Sequence, residues 1–195
     1  MADLALSNRT FYIHNPVENL VVGTIGEPGE REFFIQVSSK IGLTTIAIEK
    51  NQLEVLIERL EELLRELKRQ KLASSSSLSA TWNQTDSNLS FPVTEDFQAG
   101  IMGITWDPEN EKISLEIQEH SDQEEFRDLV QIDTDTSEFE FPPAILQGIL
   151  EISQIREFIK LAVRVIEAGR EPCPFCGLPI NLKGHLCPRS NGYKR

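Results

Sequence analysis

The sequence predicts an α+β fold: two strand-strand-strand-helix units, a pseudo-duplicated pair, forming antiparallel sheet with two covering helices, plus a compact C-terminal tail. Three observations predict it. Short runs of alternating apolar residues come in two blocks punctuated by Pro/Gly turns, and each block closes on apolar residues at helical spacing. All three cysteines fall in the last 23 residues. With 195 residues, 22.1 kDa and 39% hydrophobic content, the chain can fill one compact domain or two very small ones.

The first unit is expected over residues 16–72. Residues 20–26 read as a strand and Glu27-Pro28-Gly29-Glu30 as a turn, because Pro fixes φ and Gly permits positive φ. Residues 31–37 alternate, with Phe33, Ile35 and Val37 on one face, and a third strand follows over residues 43–49. Asn51 and Glu54 then have the spacing of a capping box. Leu53, Leu56, Leu60, Leu63 and Leu67 form the apolar stripe of a helix that packs on its own sheet, since two heptads are too few for a coiled coil.

Residues 73–90 contain seven serines and read as a flexible linker, because such a stretch buries too little apolar surface to offset its ordering entropy. Trp82 is its exception, suited to docking or to a partner. The second unit is expected over residues 91–169: strands at 100–106, 112–119 and 145–152, an acidic loop over 120–143, and a helix capped by Ser153 and ended by Gly169. Its stripe is Ile155, Phe158, Ile159, Ala162, Val163 and Ile166.

Charge is unevenly placed. The chain has 19 basic and 31 acidic residues, a net charge of −12. Residues 170–195 hold five basic residues and Glu171, a balance of +4, which leaves −16 on residues 1–169. Thirteen acidic residues lie between positions 107 and 140, against Lys112 and Arg127. Such a chain repels phosphate, so non-specific duplex binding is disfavoured. No apolar run reaches the length of a transmembrane helix, and the first residues lack a secretory signal pattern, so a soluble cytoplasmic protein is expected.

The tail, residues 170–195, carries the chemistry. Pro172-Cys173-Pro174-Phe175-Cys176-Gly177 places two thiols two residues apart, a spacing that lets both grip one ion from a tight turn. His185 and Cys187 follow, separated by Leu186. Three thiolates and one imidazole make a closed tetrahedral set, which suits structural Zn2+ and leaves no position for a catalytic water. The tail is therefore expected to be a zinc knuckle with Cys173, Cys176, His185 and Cys187 as ligands. A glutaredoxin-like redox pair also reads Cys-x-x-Cys, but there the motif precedes a helix, whereas here it follows one. A Cys–His nucleophile lacks a third group to orient His185.

Other motifs read more plainly. The glycine-rich stretch 23–31 leads into a strand rather than a helix, so it is a hairpin turn and not a phosphate loop. His14 and His120 read as surface residues. Glu49-Lys50 is an ion pair or part of a site, and the residues alone do not separate these.

Several segments together resemble a known family: Val22-Gly-Thr-Ile-Gly-Glu-Pro-Gly-Glu-Arg31, Ala47-Ile-Glu-Lys50, Met102-Gly-Ile-Thr-Trp-Asp107, Pro172-Cys-Pro-Phe-Cys-Gly177, Gly184-His-Leu-Cys-Pro-Arg189 and Asn191-Gly-Tyr-Lys-Arg195. They look like an uncharacterised bacterial domain-of-unknown-function family, number three-zero-nine-zero, sometimes called a "repeat protein". The resemblance spans roughly residues 16–195, and the serine-rich insert and acidic loop depart from its usual pattern. It implies a fold and a tail motif. Its members' genes often lie beside those of a histidine-type phosphatase and a phosphatidylinositol-kinase-like protein, which implies a shared pathway and no particular chemistry.

Two functions are expected from different classes. The first is a zinc-binding interaction or adaptor protein with a non-catalytic metal, its partner a protein and its basic edge Arg189, Lys194 and Arg195. The tail offers only Phe175 and Tyr193 for base stacking, which disfavours nucleic acid. The alternative is an enzyme or ligand-binding protein acting on a phosphorylated small molecule, with Arg31, Glu49 and Lys50 lining its pocket.

Overall fold

The computed structural model describes residues 9–82, 87–121, 143–169, 173–178, 180 and 184–189. Among the described residues, seven strands form one mostly antiparallel sheet in the order β1-β7-β6-β5-β4-β3-β2. The elements run β1 Phe11–His14, β2 Asn19–Ile25, β3 Glu32–Ser39, β4 Gly42–Ile48, α1 Lys50–Arg69, α2 Ser75–Ser79, β5 Phe97–Asp107, β6 Lys112–Glu119, β7 Ile145–Glu151 and α3 Ile152–Glu167. The α+β class holds, and the strand-strand-strand-helix order occurs twice, as β2-β3-β4-α1 and β5-β6-β7-α3. Among the described residues, parallel pairing is confined to β1 with β7 and to β4 with β5.

The sheet is not flat. In the strand order β1 lies five steps from β3, about 24 Å in a flat sheet at ~4.8 Å per strand. Yet His14 of β1 bonds Ser39 of β3 and Thr44 of β4, each at 2.9 Å. Val17 donates its N–H to Ile149 of β7 at 3.1 Å, and Glu18 donates to Ser38 of β3 at 2.8 Å. The sheet therefore curls until its ends meet, and residues 15–18 stitch β7 to β3. Gly148 sits at this seam: a Cβ there would come 3.2 Å from Val17 and 3.9 Å from Val37.

One apolar core results. Ile35, Ile46, Ile113, Leu115, Ile117 and Leu146 from the sheet are fully buried with Leu53 and Leu60 of α1 and Ile155 and Phe158 of α3. The predicted α1 stripe is therefore real, except that Leu63 is only half-buried while Ile57 is buried. In α3 the stripe turns slightly, so that Ile152 and Leu161 are buried and Val163 and Ile166 only partly so.

Four expectations need correction. Helix α1 is capped by Glu49, not Asn51: Glu49 and Gln52 form the capping box, and the Gln52 side chain accepts the Glu49 N–H at 3.0 Å. Ser153 likewise lies inside α3, which Glu151 caps with Gln154 at 2.7 Å. A strand precedes the first expected one, since β1 begins at Phe11.

The fourth concerns the serine-rich stretch, which departs from a structureless linker. Ser74 caps the short helix α2, and Glu111 accepts bonds from the Ser74 N–H at 2.8 Å, the Ser74 hydroxyl at 2.7 Å and the Ser77 hydroxyl. Arg156 of α3 donates to the Leu78 carbonyl at 2.8 Å and to that of Ala80. Leu89 buries against Gly23, where a Cβ would approach its Cγ to 2.7 Å. Serine composition cannot show this, because the order comes from the Glu111 carboxylate in the β5–β6 turn and the Arg156 guanidinium on α3, both distant in sequence. Residues 83–86 of that stretch and 122–142 of the acidic loop lie outside the described residues.

Candidate metal site

Beyond α3 the chain makes a turn that aims sulfur inward. Gly177, at φ 75°, donates its N–H to the Cys173 carbonyl at 2.8 Å, and Cys173 donates to the Leu178 carbonyl at the same distance. The positive φ is the conformation that favours glycine. Gly184, at φ 81°, plays a similar part just before His185. Arg189 ties the two ligand pairs together by donating to the Phe175 carbonyl at 3.0 Å.

The result is a cluster. One ligand atom from each of Cys173, Cys176, His185 and Cys187 lies within 4.8 Å of all the others. Cys173 Sγ and Cys187 Sγ are 3.8 Å apart, and Cys176 Sγ lies 3.2 Å from His185 Nε2. A tetrahedral ion with metal–sulfur bonds of about 2.3 Å has ligand edges of about 3.8 Å. The donors thus fit a tetrahedral metal with small adjustments, and the cysteines are free thiols rather than disulfides. Cys173 and Cys187 are buried, Cys176 and His185 partly so.

The thiols are unequal. Burial pushes Cys173 up, but the amides of Phe175 and Cys176 and the thiols of Cys176 and Cys187, all hydrogen-bonding to its sulfur, together leave it below its ordinary value. Burial raises Cys176, and hydrogen bonding with Cys173 and Cys187 adds to the rise. Backbone amides thus favour one thiolate in advance of any cation.

The second predicted set also comes together. Arg31, Glu49 and Lys50 line one cleft of about 710 Å³, together with Phe33, Phe34 and Ile48. A recess of about 400 Å³ shares Arg31, Phe33 and Lys50 with it. Each of the three is already engaged: Arg31 donates to the Ala168 carbonyl at the end of α3, Glu49 caps α1, and Lys50 pairs with Glu54 at 3.1 Å. Of the predicted basic edge, Arg189 bonds the Phe175 carbonyl beside the Cys/His cluster, while Lys194 and Arg195 lie outside the described residues.

His14, expected at the surface, is buried instead. It is 1% exposed, with both ring nitrogens bonded to hydroxyls, whereas His120 is exposed as expected. The β-favouring run Phe11-Tyr12-Ile13 before it is the signal that the sequence carries. The polar Asn15-Pro16 that follows hid it.

No helix among the described residues is long and apolar enough to cross a membrane. Comparison with curated proteins and with solved structures finds no match. A family model described as "Protein of unknown function (DUF3090)" matches residues 12–187, most of the chain, and the protein belongs to that family.

Proposed function

We propose that the protein is a zinc-binding adaptor: an α+β body presenting a metal-stapled knuckle to a protein partner. One observation carries this reading, the convergence of three sulfurs and a ring nitrogen within 4.8 Å. Soft thiolates with imidazole in a tetrahedral set favour zinc over harder cations, and four protein donors leave no open position for a reacting water. Bound zinc would supply folding free energy to a segment with little core of its own, on the order of 10–16 kcal/mol in comparable small sites. Knuckle side chains that face outward support the docking role: Phe175 is 64% exposed, Leu178 50% and Leu186 87%. Free thiols suit a reducing cytoplasm. The matching capping boxes of α1 and α3 support a duplicated body.

Metal analysis of protein purified without chelator tests the reading. One zinc per chain is expected, lost in Cys173→Ser and Cys187→Ser while the body keeps its thermal midpoint. A native sample free of metal overturns it.

A second reading, a site for a phosphorylated small molecule, has the shared cleft of Arg31, Glu49 and Lys50 in its favour. Thermal shifts against nucleotides and sugar phosphates test it. A ligand whose stabilisation disappears in Arg31→Ala supports it, and a flat screen removes it.

A further inference from the structure

Alternation explains why the knuckle is apolar outside. His185 and Cys187 both turn inward as ligands, so Leu186 between them must point away, as its 87% exposure shows. Phe175, at the turn between Cys173 and Cys176, is likewise displaced outward, and Arg189 is pinned to its carbonyl. The knuckle is thus an apolar knob with a cation on its flank. Its own body leaves that knob exposed.

The same chain carries a matching seat. Between α1 and β5 a groove of about 510 Å³ has Leu63, Met102 and Ile104 as its apolar lining and Arg59, Glu62 and Glu66 on its rim. The rim carboxylates hold exposed helical partners, Glu62 with Arg59 and Glu66 with Arg69. Such pairs are worth little and exchange readily. Charge points the same way, because the tail segment 170–195 carries +4 and the preceding residues −16.

We propose that the knuckle of one chain docks in the α1–β5 groove of a second copy, with Phe175 and Leu186 entering over Leu63, Met102 and Ile104 and Arg189 facing Glu62 and Glu66. This rests on the reading of the tail as a metal-stapled docking element. The contact is heterologous, since knob and groove are different surfaces of one chain.

Sedimentation of the full chain across concentration, at low and high salt, tests it. Wild type should associate as concentration rises, and more weakly in high salt because opposite charges meet. Leu186→Asp and Met102→Asp should each weaken association roughly thirtyfold, the effect of losing an interface anchor. An equimolar mixture of the two variants should regain association, because each supplies the face the other lacks. Metal content and thermal midpoint, measured on the same samples, show that each variant is folded. If Leu186→Asp unfolds the knuckle, Met102→Asp still decides the matter. A wild type that stays monomeric, or variants that associate as well as wild type, overturn the proposal. A zinc-loaded monomer overturns only this docking, whereas a metal-free sample overturns the zinc reading whatever its mass. Association lost in Leu186→Asp alone removes the groove as the seat.

Discussion

The two halves of the body follow one path and part company at its end. In each, an entering strand first lies parallel to the other half's last strand: β1 beside β7, and Phe97 and Gln98 of β5 beside β4. Each then breaks, at residues 15–18 or at the bulge between Ala99 and Met102, and enters an antiparallel meander. Each helix start clamps the other half's entering segment. Gln52 donates to the Ala99 carbonyl at 3.0 Å and Gln154 to the Val17 carbonyl at 2.9 Å. The difference lies at the strand ends beneath the caps. Lys112 of β6 faces Glu151 and pairs with it. One step beyond the Phe33–Ile48 pair, the corresponding positions are Glu32 and Glu49, which line the large cleft. Opposite charges close one strand end, whereas like charges directly opposed disfavour pairing and leave the other open.

If the halves share one core, damage to either must unfold both. Phe158→Ala removes a fully buried aromatic ring and should cost about 3–5 kcal/mol, and Leu60→Ala in the other half about 2–5. Urea unfolding of both variants should remain a single transition. Two separated transitions would break the body into independent halves.

The clamps should be unequal. Gln154 is 4% exposed, so Gln154→Ala leaves the Val17 carbonyl and the Glu151 N–H without their partner in a dry setting, at about 2 kcal/mol. Gln52 is only half-buried, and Gln52→Ala should cost about 1 kcal/mol. Equal losses in urea midpoint would mean that burial does not distinguish the two.

What the sequence disclosed about this body was local. The stripes through Leu53, Leu56 and Leu60 and through Ile155 and Phe158 follow from helical period alone, and the cluster of Cys173, Cys176, His185 and Cys187 follows from residue type and spacing. The caps were misplaced because Asn51 and Ser153 match the usual preference, while Glu49 and Glu151 work only with a glutamine three residues on. β1 is not legible from periodicity because its four residues become a strand only by pairing with β7, near the other end of the chain. The curl was equally hidden, since it rests on contacts such as His14 with Thr44 that no periodicity encodes. The pairing of His185 with Cys187 in one cluster is legible from their spacing, and the exposed Leu186 between them is its consequence.

The seam between the halves should respond to acid. Burial holds His14 below its ordinary value, so the folded state prefers the neutral ring. One ring nitrogen then donates to a hydroxyl and the other accepts, from Ser39 and Thr44. A proton taken up costs an acceptor, and the unfolded chain binds that proton more readily. Stability is therefore full above about pH 6.5 and falls as pH drops below it. The carboxyls of Asp107 and Glu111, held low by hydrogen bonds from Asn110 and Ser77, lose their contribution only below about pH 4.5, which separates the two windows. Urea midpoints at mildly acidic and neutral pH should differ in wild type and converge in His14→Gln. An unchanged pH slope in the variant would remove His14 as the cause.

The smallest expected effect tests the charge difference itself. Lys112→Glu gives the second half the like-charged strand end of the first, and Glu32→Lys gives the first half a cation opposite Glu49. The Lys112–Glu151 side chains are 33% and 47% exposed, so water screens the pair and each exchange should move stability by no more than about 1 kcal/mol. The signs should oppose, with loss for Lys112→Glu and gain for Glu32→Lys, and both should shrink in high salt as screening shortens the reach of the charges. Shifts of the same sign would mean that something other than charge keeps the first strand end open.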